Sequence, residues 1–204
     1  VEASKTDSAF LKKALNILKL MKCNESEVYF KASEYMYQID PTADAAVGVA
    51  YMYYKKGDYD NAVKYFDEAL AKAKAENKLV FMDCYTSWCG PCKYMSETIF
   101  PQEKAGEFFN PKFVCVKFDM EKGEGPELGK KFGVRAYPTF LILRPDGSVQ
   151  HKVVGGGDLE GFIARVEKGL NEKTSLDYLN KVYEKGKMNK KQLMAYQIAL
   201  NDAY

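Results

Sequence analysis

Asp83-Cys84-Tyr85-Thr86-Ser87-Trp88-Cys89-Gly90-Pro91-Cys92-Lys93 is the stretch that decides how this chain is read. Before it, Leu79 to Asp83 is a short apolar run of strand character, and after a polar loop a helix is expected to start beside Cys89. A sulfur at the amino end of a helix meets unpaired backbone N–H groups and the positive end of the helix dipole, which stabilise its thiolate. The thiolate, not the thiol, attacks a disulfide. Cys92 falls one turn further in on the same side, so the spacing makes Cys89 the attacking sulfur and Cys92 the resolving one. Reversible thiol–disulfide exchange is the chemistry this pattern predicts.

Two cysteines separated by two residues are also half of a tetrahedral zinc site. No second pair follows, and the other three cysteines, Cys23, Cys84 and Cys115, are scattered. No metal and no cofactor are expected beyond the redox-active Cys89–Cys92 pair itself. Cys84 and Cys115 read as core residues within apolar strands. His151, the single histidine, has no companion ligand or nucleophile and is expected at the surface.

Outward from the dithiol, strands and helices alternate, as in a sheet built by crossover connections. Phe113 to Phe118, Thr139 to Leu143 and Val149 to Val154 are the further strands, with Pro145-Asp146-Gly147 as the turn between the last two. Pro101 is expected to kink or interrupt the dithiol helix. A short helix over Leu128 to Phe132 ends at Gly133. Leu159, Phe162, Ile163 and Val166 mark a closing amphipathic helix, and two more follow near Ser175 to Lys185 and from Lys190 on.

Upstream of residue 76 the apolar period is helical throughout. Asp40-Pro41-Thr42 breaks the pattern ahead of a new helix, and Gly57 to Asp60 is a turn between two antiparallel helices. The second of these is expected to run from Asp60 to about Asn77.

At 204 residues, with 30 basic and 28 acidic side chains interleaved, the chain offers no broad field for a nucleic acid backbone, and none is expected as a partner. No apolar run reaches the roughly 18 residues of a membrane span, so no membrane insertion is expected. An odd cysteine count excludes a secreted disulfide framework.

The segment from Asp83 to Lys93 resembles the active-site stretch of thioredoxin, and the likeness extends over about residues 76 to 171. It implies an α/β thioredoxin fold, a central mixed β-sheet flanked by helices, and the activity of a thiol–disulfide oxidoreductase. By the same resemblance Asp83 is a buried acid serving the resolving thiol, with a strand-end capping acid as the other reading, and Lys117 is the lysine that approaches it. Arg135 to Phe140 resembles the segment whose proline is cis, so Trp88, Gly90, Pro91, Tyr137 and Pro138 are expected to meet the substrate. Cys-Gly-Pro-Cys members of the family suggest the reducing direction, with protein disulfides as substrates and an unidentified electron donor.

Two departures stand out: the family's first strand is not visible, and Tyr85 replaces its usual tryptophan. The missing strand leaves an edge that the extra helices are candidates to cover. Met95 to Phe100 and Glu121 to Gly125 look closer to the carboxy-terminal domain of DsbD-like carriers. With a chain that starts at Val1, this favours an exported, periplasmic bacterial protein over a cytoplasmic one.

Val49, Ala50, Tyr53, Gly57, Tyr59, Ala62, Phe66 and Ala69 resemble the packing positions of a tetratricopeptide repeat. The expected organisation is therefore a helical, tetratricopeptide-like region at 1–75, a thioredoxin-like domain at 76–171 and a helical extension at 172–204. A client protein on the first helices is a further expected partner. Two other readings stay open: an interaction module using the thioredoxin domain as scaffold, and a carrier of soft metal ions.

Overall fold

The computed structural model describes residues 71–204 without interruption and, before them, isolated positions between Lys31 and Glu68. The chain divides into two compact units, Val1–Asn77 and Lys78–Tyr204.

In the first unit Ala46, Val49 and Met52 are buried, and Gly57 turns the chain at φ 77°. The Tyr53 hydroxyl donates to Glu34 Oε1 at 2.7 Å, and the Tyr37 hydroxyl donates to the Glu68 carboxylate. Residues 71–75 are helical, and Asn77, in the left-handed region at φ 55°, stops that helix. Most of the repeat-like positions, together with Cys23, lie outside the described residues.

The second unit is organised on four strands: β1 (Leu79–Tyr85), β2 (Phe113–Asp119), β3 (Thr139–Leu143) and β4 (Val149–Val154), in the order β2-β1-β3-β4. β1 and β2 are parallel, whereas β1–β3 and β3–β4 are antiparallel, so the sheet is mixed. β1 and β3 lie centrally, and the near-continuous apolar runs Leu79 to Met82 and Phe140 to Leu143 reflect burial of both faces. Gly147, at φ 80°, closes the β3–β4 turn, with Asp146 Oδ1 accepting from the Ser148 N–H at 2.9 Å.

One face of the sheet carries a phenylalanine core. Phe81 lies with its ring centroid 4.8 Å from that of Phe109, 5.5 Å from Phe140 and 5.6 Å from Phe113, and Phe162 stands edge-on to it at 6.2 Å. The helices over this core are α1 (Gly90–Tyr94), the π-helical turn Met95–Ile99 that continues it, α2 (Glu103–Phe109) and α4 (Leu159–Leu170). A further helix, α3 (Gly125–Lys131), starts earlier than the leucine pattern suggested. Gly125 comes so close to the Asp119 carbonyl that any β-carbon there would collide with it.

Pro101 has the expected effect by a particular route. It cannot donate an amide hydrogen, and the Phe100 N–H closes the preceding turn onto the Met95 carbonyl at 2.9 Å, a five-residue step. Met95 and Ile99 are buried in the core, which anchors the helix carrying the dithiol.

One expectation needs correction. His151 is fully buried rather than at the surface: β4 places it opposite Ile142, beneath Gly169 of α4, and its Nδ1 accepts the Leu176 N–H at 3.1 Å. His151 stands in the polar run Gln150-His151-Lys152 of β4, which reads as solvent-facing because nothing local reveals that a later helix seals it. The C-terminal helices α5 (Leu176–Glu184) and α6 (Lys190–Ala203) pack on β4, at the opposite end of the sheet from β2. Arg144 pairs with Asp177 at 2.8 Å and Lys168 with Asp202 at 2.7 Å, tying both helices to this unit. No helix among the described residues is long and apolar enough to cross a membrane.

Candidate active site

β1 ends at Tyr85, and the loop Thr86 to Trp88 leads into α1 with Cys89 as its N-cap. Pro91 sits in the first turn, where its missing N–H costs no helical bond. Cys89 and Cys92 are joined as a disulfide, with Cα atoms 5.3 Å apart. The Cys92 N–H donates to Cys89 Sγ at 3.1 Å, so the sulfur occupies the capping place of a helix that lacks a side-chain oxygen there. The same N–H is a ready stabiliser of negative charge on Cys89. Gly90 and Pro91 are exposed, and a β-carbon at Gly90 would meet nothing.

Both cysteines are 3% exposed, whereas Trp88 is 65% exposed, so the indole is what an approaching molecule meets first. It does not swing freely. Its Nε1–H donates to both carboxylate oxygens of Glu121 at 2.9 Å, and its ring stands edge-on to Tyr137 at 6.0 Å. The Tyr137-Pro138 bond is cis. The Pro138 carbonyl accepts the Gly155 N–H at 2.8 Å, which joins this loop to the glycine run after β4. Arg165 caps that run, donating to the carbonyls of Val154, Gly155 and Gly156 at 2.8 to 3.0 Å. A β-carbon on Gly156 would lie 2.8 Å from Met95 Sδ, so this position admits close approach to the dithiol helix only as glycine.

Asp83 is 5% exposed on β1, and its Oδ1 has no hydrogen-bond partner. Burial pushes its carboxyl up to about 7, with the Lys117 charge acting against that rise. Lys117 is the register partner of Asp83 on β2. Its ammonium donates to Ser96 Oγ at 3.4 Å and lies 4.6 Å from the Tyr85 ring centroid, so the residue in the place of the usual tryptophan serves as a platform for the lysine. Cys84, facing the other side of the strand, is fully buried, and burial together with the Asp83 charge pushes its thiol up to about 12. It is an inert core thiol, as its sequence context suggested.

The structure gathers Trp88, Cys89, Cys92, Tyr137 and Pro138 at one end of the sheet. Glu121 and Arg165 were not singled out from sequence. A signal for Glu121 existed: β1 and β2 are parallel neighbours, so the loops after them emerge side by side, and an acid two residues past the end of β2 can reach an indole three past the end of β1. Arg165 gave none, being one of many basic residues on an amphipathic helix.

A dithiol on a helix N-cap, a cis proline and a buried acid beneath, carried by this sheet order, define a thioredoxin-type site. The thioredoxin family model matches residues 59–168, and the chain belongs to that family. Thioredoxin H-type of Oryza sativa subsp. indica is 38% identical over 102 residues, covering 49% of this chain and 78% of that protein. Among solved structures, a candidate disulphide-isomerase from Bacteroides thetaiotaomicron is 47% identical, covers 52% of this chain and 88% of its own, and has a TM-score of 0.48. The oxidised DsbD c-terminal domain of Neisseria meningitidis is 26% identical, covers 50% and 88%, and has a TM-score of 0.43. The protein is a thiol–disulfide oxidoreductase.

Proposed function

We propose that the protein reduces disulfides in protein clients, with Cys89 attacking and Cys92 resolving. In the reduced state the Cys89 thiolate attacks one sulfur of the client disulfide; a mixed disulfide forms and one client thiolate leaves. Asp83, as carboxylate, takes the proton of the Cys92 thiol, and the Cys92 thiolate attacks Cys89 Sγ. The second client thiolate leaves, the Cys89–Cys92 disulfide closes, and the client has gained two electrons. A dithiol electron donor then restores the pair by the same steps in reverse.

The observation that carries this reading is the 3.1 Å hydrogen bond from the Cys92 N–H to Cys89 Sγ at the start of α1. Trp88, Gly90, Pro91, Tyr137 and Pro138 receive the client, the cis bond leaving the Tyr137 backbone to pair with an extended segment. Lys117 moderates the acidity of Asp83. The reducing direction rests on the Cys-Gly-Pro-Cys pattern. An exported, periplasmic setting and a client platform in residues 1–75 belong to the same reading and rest on sequence pattern alone.

Insulin reduction coupled to a dithiol donor tests it: Cys89→Ser lowers turnover to background, and Cys92→Ser accumulates a mixed disulfide with the client. Unchanged turnover in Cys89→Ser overturns the assignment.

A further inference from the structure

Beside the cis-proline loop, on the side of β4, a cleft of about 590 Å³ opens between the sheet and the C-terminal helices. Phe132, Arg135, Ala136, Gln150, Lys152 and Tyr204 are among its lining residues. It has no place in the exchange steps above, yet its wall runs directly into Tyr137 and Pro138 through Arg135 and Ala136.

The charges in the cleft do not balance. Lys152 directs its ammonium to the Gly133 carbonyl at 3.5 Å and lies 4.9 Å from the Tyr204 ring centroid; Arg135 is exposed. Among the described residues no carboxylate pairs with either. Asp177 lines the same cleft, but Arg144 and Lys181 already hold it, at 2.8 and 2.9 Å. Burial and, after it, the like charge of Arg135 disfavour the charged form of half-buried Lys152. An anion entering between them relieves that repulsion and supplies the missing counter-charge.

The source of the anion follows from position. A client segment that pairs with the Tyr137 backbone is extended, and its neighbouring residues run along Arg135 and Ala136 toward the cleft. We propose that the cleft receives an acidic side chain flanking the reactive cysteine of the client, so that Arg135 and Lys152 select clients with acidic segments. This rests on the client-reductant reading and adds a specificity to it.

Two disulfide-linked peptides, identical except for Glu or Gln beside the cysteine, test the proposal with the full chain and a dithiol donor. The wild type is expected to favour the Glu peptide in kcat/KM by about threefold at low salt, the size of a partly exposed ion pair. The preference shrinks as salt screens the pair. Arg135→Gln and Lys152→Gln each reduce the ratio, the double substitution brings it to about one, and Arg135→Glu shifts preference toward a Lys peptide. Equal rates for the two peptides in the wild type, or a ratio that survives the double substitution, overturn the proposal. Inorganic phosphate binding at Arg135 and Lys152 without any difference between the peptides assigns the cleft to a free anion and overturns it as well. Failure of the wild type to reduce either peptide sinks the reductant reading itself, a result distinct from loss of selectivity.

Discussion

Asp83 and His151 lie on the same face of one sheet, Asp83 on the central strand β1 and His151 on the edge strand β4, and both are buried. Burial disfavours the charged form of each. For the acid, this raises the carboxyl to about 7, where it exchanges a proton under ordinary conditions. For the base, it lowers the imidazole to about 4, so His151 is neutral whenever the protein works. One physical cause thus brings one group into the range of chemistry and removes the other from it. The surroundings differ in one respect: the Leu176 N–H donates to His151 Nδ1 where α5 starts, although His151 Nε2, like Asp83 Oδ1, has no hydrogen-bond partner.

The strongest way to break this contrast is Asp83→Asn. It is expected to slow disulfide exchange on the order of 10²-fold, since a positioned proton acceptor is lost. Stability moves the other way. The folded state holds the Asp83 proton more tightly than the unfolded chain, so stability falls as pH rises from about 4 through about 7. Asp83→Asn removes that loss, and denaturant titration is expected to show a gain of about 4 kcal/mol at pH 9 and none at pH 3.

His151 supplies the opposite slope. Its folded pKa lies below the usual 6.5, so its contribution is present above 6.5 and is lost as pH falls through about 4. Between pH 7 and pH 4 the wild type is expected to lose about 2–3 kcal/mol more than His151→Leu, with amide exchange in α5 and α6 rising first. A parallel pH response in both proteins would break the comparison.

The smallest effect is expected at Glu121, where Glu121→Ala frees the Trp88 indole. An exposed bond of this kind amounts to less than about 1 kcal/mol, so kcat/KM for a disulfide peptide falls about twofold to threefold, with no change in melting temperature. A rate equal to that of the wild type would show that the indole needs no anchor.

Much of the fold was legible because its signals are local. All four strands were marked by apolar runs and turn residues, and the dithiol helix by its cap and proline. The dithiol was legible for the same reason, since three residues and one helical turn suffice to place both sulfurs. His151 was misread because a strand shows only alternation, and the element that covers it arrives from Gly169 and Leu176, far along the chain. Glu121 was missed because its partner lies 33 residues away, across a parallel pair whose alignment the sequence does not state.

The amino-acid sequence by itself determined the Cys89–Cys92 pair at the start of a helix, the sheet's strands and the turn residues between them. These depend on backbone preferences and spacings of a few residues. Only the tertiary structure decided that an aspartate sits without a partner at Oδ1, that a histidine is sealed under α4, and that Arg135 and Lys152 share a cleft. Burial and charge pairing are properties of what surrounds a residue, and those neighbours come from every part of the folded unit.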